Sequence, residues 1–154
     1  MKNLILIIGI CFFIFGMSAC KSKETVKSEA NSSLIATATD KGVVEKKWKL
    51  TEINGVALST MTPQPAVEAF IFFQANGDRV NGCSGCNNFT GTYKMGPGSA
   101  LHFSGVASTR KMCIDMTVED QMNKIFQAID SYTFQDGTLN LKQGETVLAR
   151  FVSE

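Results

Sequence analysis

The chain has 154 residues, and its 15 Lys and Arg against 14 Asp and Glu leave a formal charge of +1. That length fits one domain, and so balanced a charge offers no long-range field for collecting nucleic acid. A membrane span of about 20 apolar residues is also missing, because the longest apolar run is shorter.

That run belongs to the N-terminus. Met1-Lys2-Asn3 is a short positive start, Leu4 to Phe15 is apolar apart from Gly9, and Met17-Ser18-Ala19 places small residues before Cys20. The pattern is that of a secretory leader over residues 1–19, and its end resembles a bacterial lipobox. Cys20 is therefore expected to become the lipidated first residue of the mature chain, with Cys11 discarded in the leader. Several acyl chains on one residue hold a protein at a membrane where one chain does so only marginally. An ordinary signal peptide or a short anchor helix is the alternative. Residues 20–42 are rich in Ser, Thr, Lys, Glu and Ala without a period, and read as a flexible tether. No Asp follows Cys20, where Lys21-Ser22 stand. By resemblance to enterobacterial sorting rules this points to the outer membrane, expected here on its periplasmic face.

The folded part is expected over residues 43–154. Trp48 and Leu50 alternate with Lys47, Lys49 and Thr51, as in a strand with one buried face. Asn54-Gly55 marks a turn, Val56 to Leu58 a second short strand, and Thr60 to Pro65 a proline-bearing loop. Val67, Ala69, Ile71 and Phe73 form one face of the next strand. Phe70 and Phe72 make its other face apolar too, so cover is expected on both sides. Asn76-Gly77 is a hairpin signal. Gly82 to Tyr93 (GCSGCNNFTGTY) follows, a corner shaped by Gly and Asn and carrying two thiols. Phe89, Gly91, Tyr93 and Met95 then alternate with polar residues, and Gly96-Pro97-Gly98 turns the chain. Leu101 and Phe103 face inward with His102 on the opposite parity, and Gly105 to Cys113 is extended in character.

Thr117 to Asp130 is the one amphipathic helix. Thr117 is expected to cap it, and Glu119 and Asp120 suit its first turn. Val118, Met122, Ile125, Phe126 and Ile129 lie on one stripe, read as core. Three short strands separated by Asp136-Gly137 and Gln143-Gly144 end the chain. The fold class is α+β, mostly antiparallel β: a small OB-like curled barrel of about eight strands with one amphipathic helix, curled because an open sheet would leave long edges.

Cys83, Cys86 and Cys113 remain in the mature chain, and three readings of them stay open. A disulfide staple would leave one thiol over. A redox motif would use Cys83-Ser84-Gly85-Cys86, although a CxxC acts best at a helix N-terminus and here lies between strands. A zinc site would combine the three thiols with His102. A Cys–His hydrolase using His102 with Asn87 or Asn88 is the least supported by the pattern. Arg110 is positioned either to brace carbonyls of the Gly82–Asn88 corner or to bind a carboxylate, and Asn87 to satisfy local backbone groups.

With those residues set out, residues 44–151 resemble the META domain, the family that includes HslJ-like heat-shock lipoproteins. The similarity lies in Trp48-Lys49-Leu50, in GCN-x3-G-x-Y at Gly85, Cys86, Asn87, Gly91 and Tyr93, and in Ser108 to Cys113. The helix from Glu119 to Phe126, Leu139-Asn140-Leu141 and Leu148 to Phe151 extend it. The resemblance implies an OB-like barrel tethered in the Gram-negative envelope, a role in stress or drug tolerance, and no catalytic reaction or cofactor. It also implies a Cys86–Cys113 disulfide, with Cys83 as the extra thiol. Asn87, Gly91, Tyr93, Thr109 and Arg110 become the candidate structural or binding residues. The expected partner is the membrane, through the lipid anchor, together with an envelope protein or small ligand and no nucleic acid. Inhibition of a periplasmic or host hydrolase, and thiol-redox or metal binding through Cys83, Cys86 and Cys113, are the alternatives.

Overall fold

The computed structural model describes residues 42–154. The leader expected over residues 1–19, the lipidation at Cys20 and nearly all of the expected tether lie outside the described residues. Nine strands form one sheet: β1 (Lys47–Ile53), β2 (Val56–Ala57), β3 (Phe70–Gln74), β4 (Arg79–Cys83), β5 (Asn88–Gly96), β6 (Ala100–Ser108), β7 (Ser131–Gln135), β8 (Thr138–Gln143) and β9 (Thr146–Ser153). One α-helix, α1 (Thr117–Ala128), joins β6 to β7.

Every pairing is antiparallel, and β1 bonds both β3 and β9. Eight strands therefore close into a ring, with the short β2 added beside β1. Closure removes the exposed edges that an open sheet would carry. The β6–β7 seam is the thinnest, with a single bridge at Ala100↔Ser131 extended by Leu101 N–H to Asp130 O at 3.0 Å. The helix packs against β6, beside that seam.

Alternation along the strands sends Trp48, Ile71, Phe73, Leu139, Leu141 and Phe151 into the ring, all fully buried. The indole of Trp48 donates to Val43 O at 2.7 Å, so its one polar atom is satisfied in the core. A chain of ring contacts links barrel to helix: Tyr93 on Phe73, Phe73 on Phe103, Phe103 on Phe126 and Phe126 on Phe89. Each such pair adds about 0.5–1.5 kcal/mol beyond its buried area. The stripe of Val118, Met122, Ile125, Phe126 and Ile129 is buried, as its spacing requires.

Some local details differ from expectation. β3 starts at Phe70, and Val67 is exposed, because the chain from 61 to 69 is held as a loop. The outer face of β3 has no second layer at Phe70; Lys47 Nζ lies 5.1 Å from that ring, so a long lysine side chain covers it. Lys47 also pairs with Glu68 and Glu154, and Lys49 with Glu68, tying loop and C-terminus to β1. The hydrogen bonds from Lys47 and then Lys49 hold the Glu68 carboxyl below its usual range. These groups are solvent-exposed, and such pairs contribute little. Thr117 is the first helical residue and not the cap. Met116 holds the cap position without a side-chain hydrogen bond, and Asp115 just before it serves the first turn, its Oδ1 accepting from Thr117 N–H at 2.9 Å and from the Thr117 hydroxyl at 2.6 Å.

Gly82 lies between Ile71 on β3 and Phe89 on β5. A side chain there would collide with the carbonyl oxygen of Phe70 and the ring of Phe89. Gly82→Ala is expected to lower stability by about 2–3 kcal/mol, and Gly96→Ala by less than about 1 kcal/mol. At Gly96 the added carbon would make an ordinary 3.5 Å contact with Ala100. Urea titrations of the two variants check the difference.

Candidate functional site

The corner between β4 and β5 is buried from Cys83 to Asn87. Gly85 has φ +95°, a conformation that side-chain-bearing residues rarely adopt, and Val118 at the helix start and Pro65 crowd its Cα. Ser84 N–H donates to Asn87 O at 2.9 Å and closes the turn, while Val67 N–H donates to Gly85 O at 3.0 Å from the loop outside.

Asn87 is the centre of the arrangement, and 1% of its surface is exposed. Its backbone N–H donates to Glu119 Oε2 at 3.0 Å, and its Nδ2 lies 2.9 Å from each Glu119 carboxylate oxygen. Nδ2 also donates to Lys111 O at 3.0 Å. Its Oδ1 accepts from the Thr109 hydroxyl and from Lys111 N–H, both at 2.7 Å. An amide has two donor hydrogens and two acceptor lone pairs, and here all are engaged. The Glu119 carboxylate, buried in the first turn of α1, faces these donors and the positive end of the helix dipole.

The Cys86–Cys113 disulfide stands beside this knot, with 6.1 Å between the Cα atoms. Cys83 is buried and free. The disulfide reading of the corner is thus the one the geometry carries. Cys86 bonds to Cys113 and not to Cys83, so the CxxC does not close as a redox pair. The set proposed for zinc is not brought together. Two of its thiols are joined to each other, Cys83 is buried, and His102 is exposed on β6 opposite Lys94. Among the described residues no group of three His, Cys, Asp or Glu is arranged to hold a metal ion.

The other expected residues take structural positions. Gly91 lies at the irregularity between Thr90 and Thr92 where β6 comes close, its Cα crowded by Ser104 O and Val106. Tyr93 is buried edge-on to Phe73 and donates its hydroxyl to Gln74 O at 3.0 Å. Thr109 holds Asn87. Arg110 does not brace the corner: it is exposed, and no hydrogen bond or ion pair of its side chain occurs among the described residues. Corner carbonyls it was expected to serve are already met by backbone N–H groups, Gly85 O by Val67, Asn87 O by Ser84 and Asn88 O by Thr109, and the guanidinium extends outward.

Glu119 is the residue that sequence reasoning missed, having been read only as a first-turn charge. The signal was present, since Met122 and Phe126 stand three and seven residues on, which places Glu119 on the buried face. Elsewhere, a cleft of 440 Å³ beside β1 is lined by Leu50, Leu58, Pro65, Val67 and the ion-paired Lys49 and Glu68. It offers no convergent set of free polar groups.

Asn87→Asp would set a second carboxylate against Glu119 with no cation between them. Burial beside a like charge would hold the introduced carboxyl above its unfolded value, so the variant keeps stability at low pH and loses it as pH climbs through the folded pKa. The expected deficit against the parent is about 3–5 kcal/mol near pH 7 and clearly smaller near pH 4. Denaturant titrations at both pH values measure it; equal deficits would be inconsistent with a buried Asn87–Glu119 pair.

The META domain model matches residues 41–154. Two solved NMR structures share the fold. One, from Burkholderia xenovorans, has a TM-score of 0.59 and 18% identity, covering 76% of this chain and 87% of its own. The other has a TM-score of 0.56 and 19% identity, covering 74% of this chain and 94% of its own. A search of curated proteins found no similar sequence. At these identities the two structures speak for the fold alone, whereas the family match spans the whole folded part and includes the Gly85 to Tyr93 motif, the Asn87 knot and the staple. This chain belongs to the META domain family.

Proposed function

We propose that the protein is a non-catalytic binding module of the bacterial envelope, anchored by lipid at Cys20 to the periplasmic face of the outer membrane and acting in stress or drug tolerance. The observation that carries this reading is the Cys86–Cys113 bond in a chain that opens with a leader and a lipobox-like Met17-Ser18-Ala19-Cys20. Disulfides persist in exported proteins and are rare in reducing compartments. A covalent staple and a lipobox-like Cys20 support the same compartment by independent routes.

The non-catalytic part rests on how the corner uses its chemistry. Of the groups that nucleophilic or acid–base work would recruit, Cys86, Cys113, Asn87 and Glu119 are each joined to another part of the fold, and the free thiol of Cys83 is buried. A nucleophile requires a neighbouring base within hydrogen-bond reach, and the exposed His102 lies on β6, apart from the knot. The features left facing outward are suited to contact with a partner.

Cys20→Ala in cells of a Gram-negative host is expected to move the protein from the membrane fraction to the soluble envelope fraction. Retention of the variant in the membrane fraction at the parent's level would contradict the lipid anchor.

A further inference from the structure

The segment between β6 and α1 holds two features that folding normally hides. Met112 is 89% exposed and Ile114 is 103% exposed, on either side of the stapled Cys113. Arg110 and Lys111 precede them, both exposed, and neither side chain has a hydrogen-bond or ion-pair partner among the described residues. Asp115, the acid of this stretch, is engaged with Thr117.

The backbone on both sides is fixed. Thr109 N–H donates to Asn88 O at 2.9 Å, Lys111 N–H and O both bond the Asn87 amide, and Cys113 is tied to Cys86. A segment held at these points cannot turn Met112 and Ile114 toward the core, where the space is already filled. Among the described residues nothing covers them, and their apolar surface leaves water only against something outside the described fold.

What that is follows from the neighbours. Two long apolar side chains beside two unpaired cations match an anionic lipid surface, which offers an acyl boundary to the first pair and phosphates to the second. We infer that residues 110–114 form a membrane-docking tip, with Met112 and Ile114 entering the headgroup–acyl boundary and Arg110 and Lys111 lying on anionic headgroups. Two apolar side chains and two charges are too little to recruit a protein from solution, just as one acyl chain holds it only marginally. They suffice to orient a domain that is already held close. Delivery rests on the lipid anchor proposed at Cys20.

The test places an indole at the tip. Met112→Trp in the full lipidated chain adds one exposed indole to a protein whose native Trp48 is fully buried. The chain is reconstituted into phosphatidylcholine vesicles containing about one-third phosphatidylglycerol, with brominated acyl chains as quencher. The introduced indole is expected to shift to the blue and to be quenched at least about twofold more than in a chain also carrying Arg110→Glu and Lys111→Glu. Emission typical of water, unquenched while the chain floats with the vesicles, would overturn the docking tip. So would a blue shift that needs an added protein and not lipid. Quenching indifferent to charge reversal would overturn the headgroup assignment. Flotation reports the anchor separately: a chain that fails to float defeats the reading of Cys20. The tip is then judged with the same chain held by an N-terminal His-tag on anionic vesicles that carry a nickel-chelating lipid, where an unshifted emission overturns it.

Discussion

A carboxylate taken out of water must be met by donors, and Glu119 is met almost wholly by Asn87. An unpartnered buried charge costs several kcal/mol, and one that accepts charge-assisted hydrogen bonds does not. The Asn87 backbone N–H and side-chain amide both reach the carboxylate, while the amide's remaining groups grip Thr109 and Lys111. The β4–β5 corner, the segment after β6 and the start of α1 thus meet at one residue. Asn87 stands 22 to 32 residues before these partners in the chain, and no strand pairing reaches the start of α1. Without this contact the N-terminal end of α1 would be held to the corner by the nearby disulfide and the packing of Val118 alone.

The disulfide and the knot are complementary. Cys86 and Cys113 close a loop of 27 residues, which the chain-entropy account credits with about 3–4 kcal/mol, mainly through the unfolded state. The hydrogen bonds act on the folded state, fixing which way the segment from Thr109 to Cys113 faces. Because its backbone is held by Asn87 and its thiol by Cys86, its side chains point outward. Polar chemistry is turned inward and made structural, while apolar and cationic side chains are presented to the surroundings. That division supports a binding module more than an enzyme, and it gives the binding a defined face.

Much of the fold was legible in the sequence because alternation and turn chemistry are local. Trp48 and Leu50 on β1, Phe89 to Tyr93 on β5 and the stripe on α1 all took the faces that their spacing required. Asn76-Gly77 and Asp136-Gly137 marked true hairpins. The Cys86–Cys113 pair came from family resemblance and not from spacing, since Cys83 was an equally available thiol. What stayed hidden was non-local. Nothing next to Arg110 says that the corner's carbonyls are met by backbone N–H groups of Val67, Ser84 and Thr109, and a helical glutamate reads as a solvent-facing charge until its phase with Met122 and Phe126 is weighed. Thr117 as a cap failed for a simpler reason: Asp115 competes two residues earlier and is the better acceptor for the first free N–H. Curling into a barrel was legible from the cost of open edges, but not which strands close it: β9 returns to β1, a pairing between the two ends of the folded part.

The central claim is that Asn87 and Glu119 act as one unit. A double-mutant cycle with Asn87→Ala, Glu119→Ala and the pair, followed by denaturant unfolding, tests it most directly. The account predicts that the double variant is little worse than either single one, with a coupling energy of about 2–3 kcal/mol. Losses that simply add, with coupling below about 0.5 kcal/mol, would contradict it.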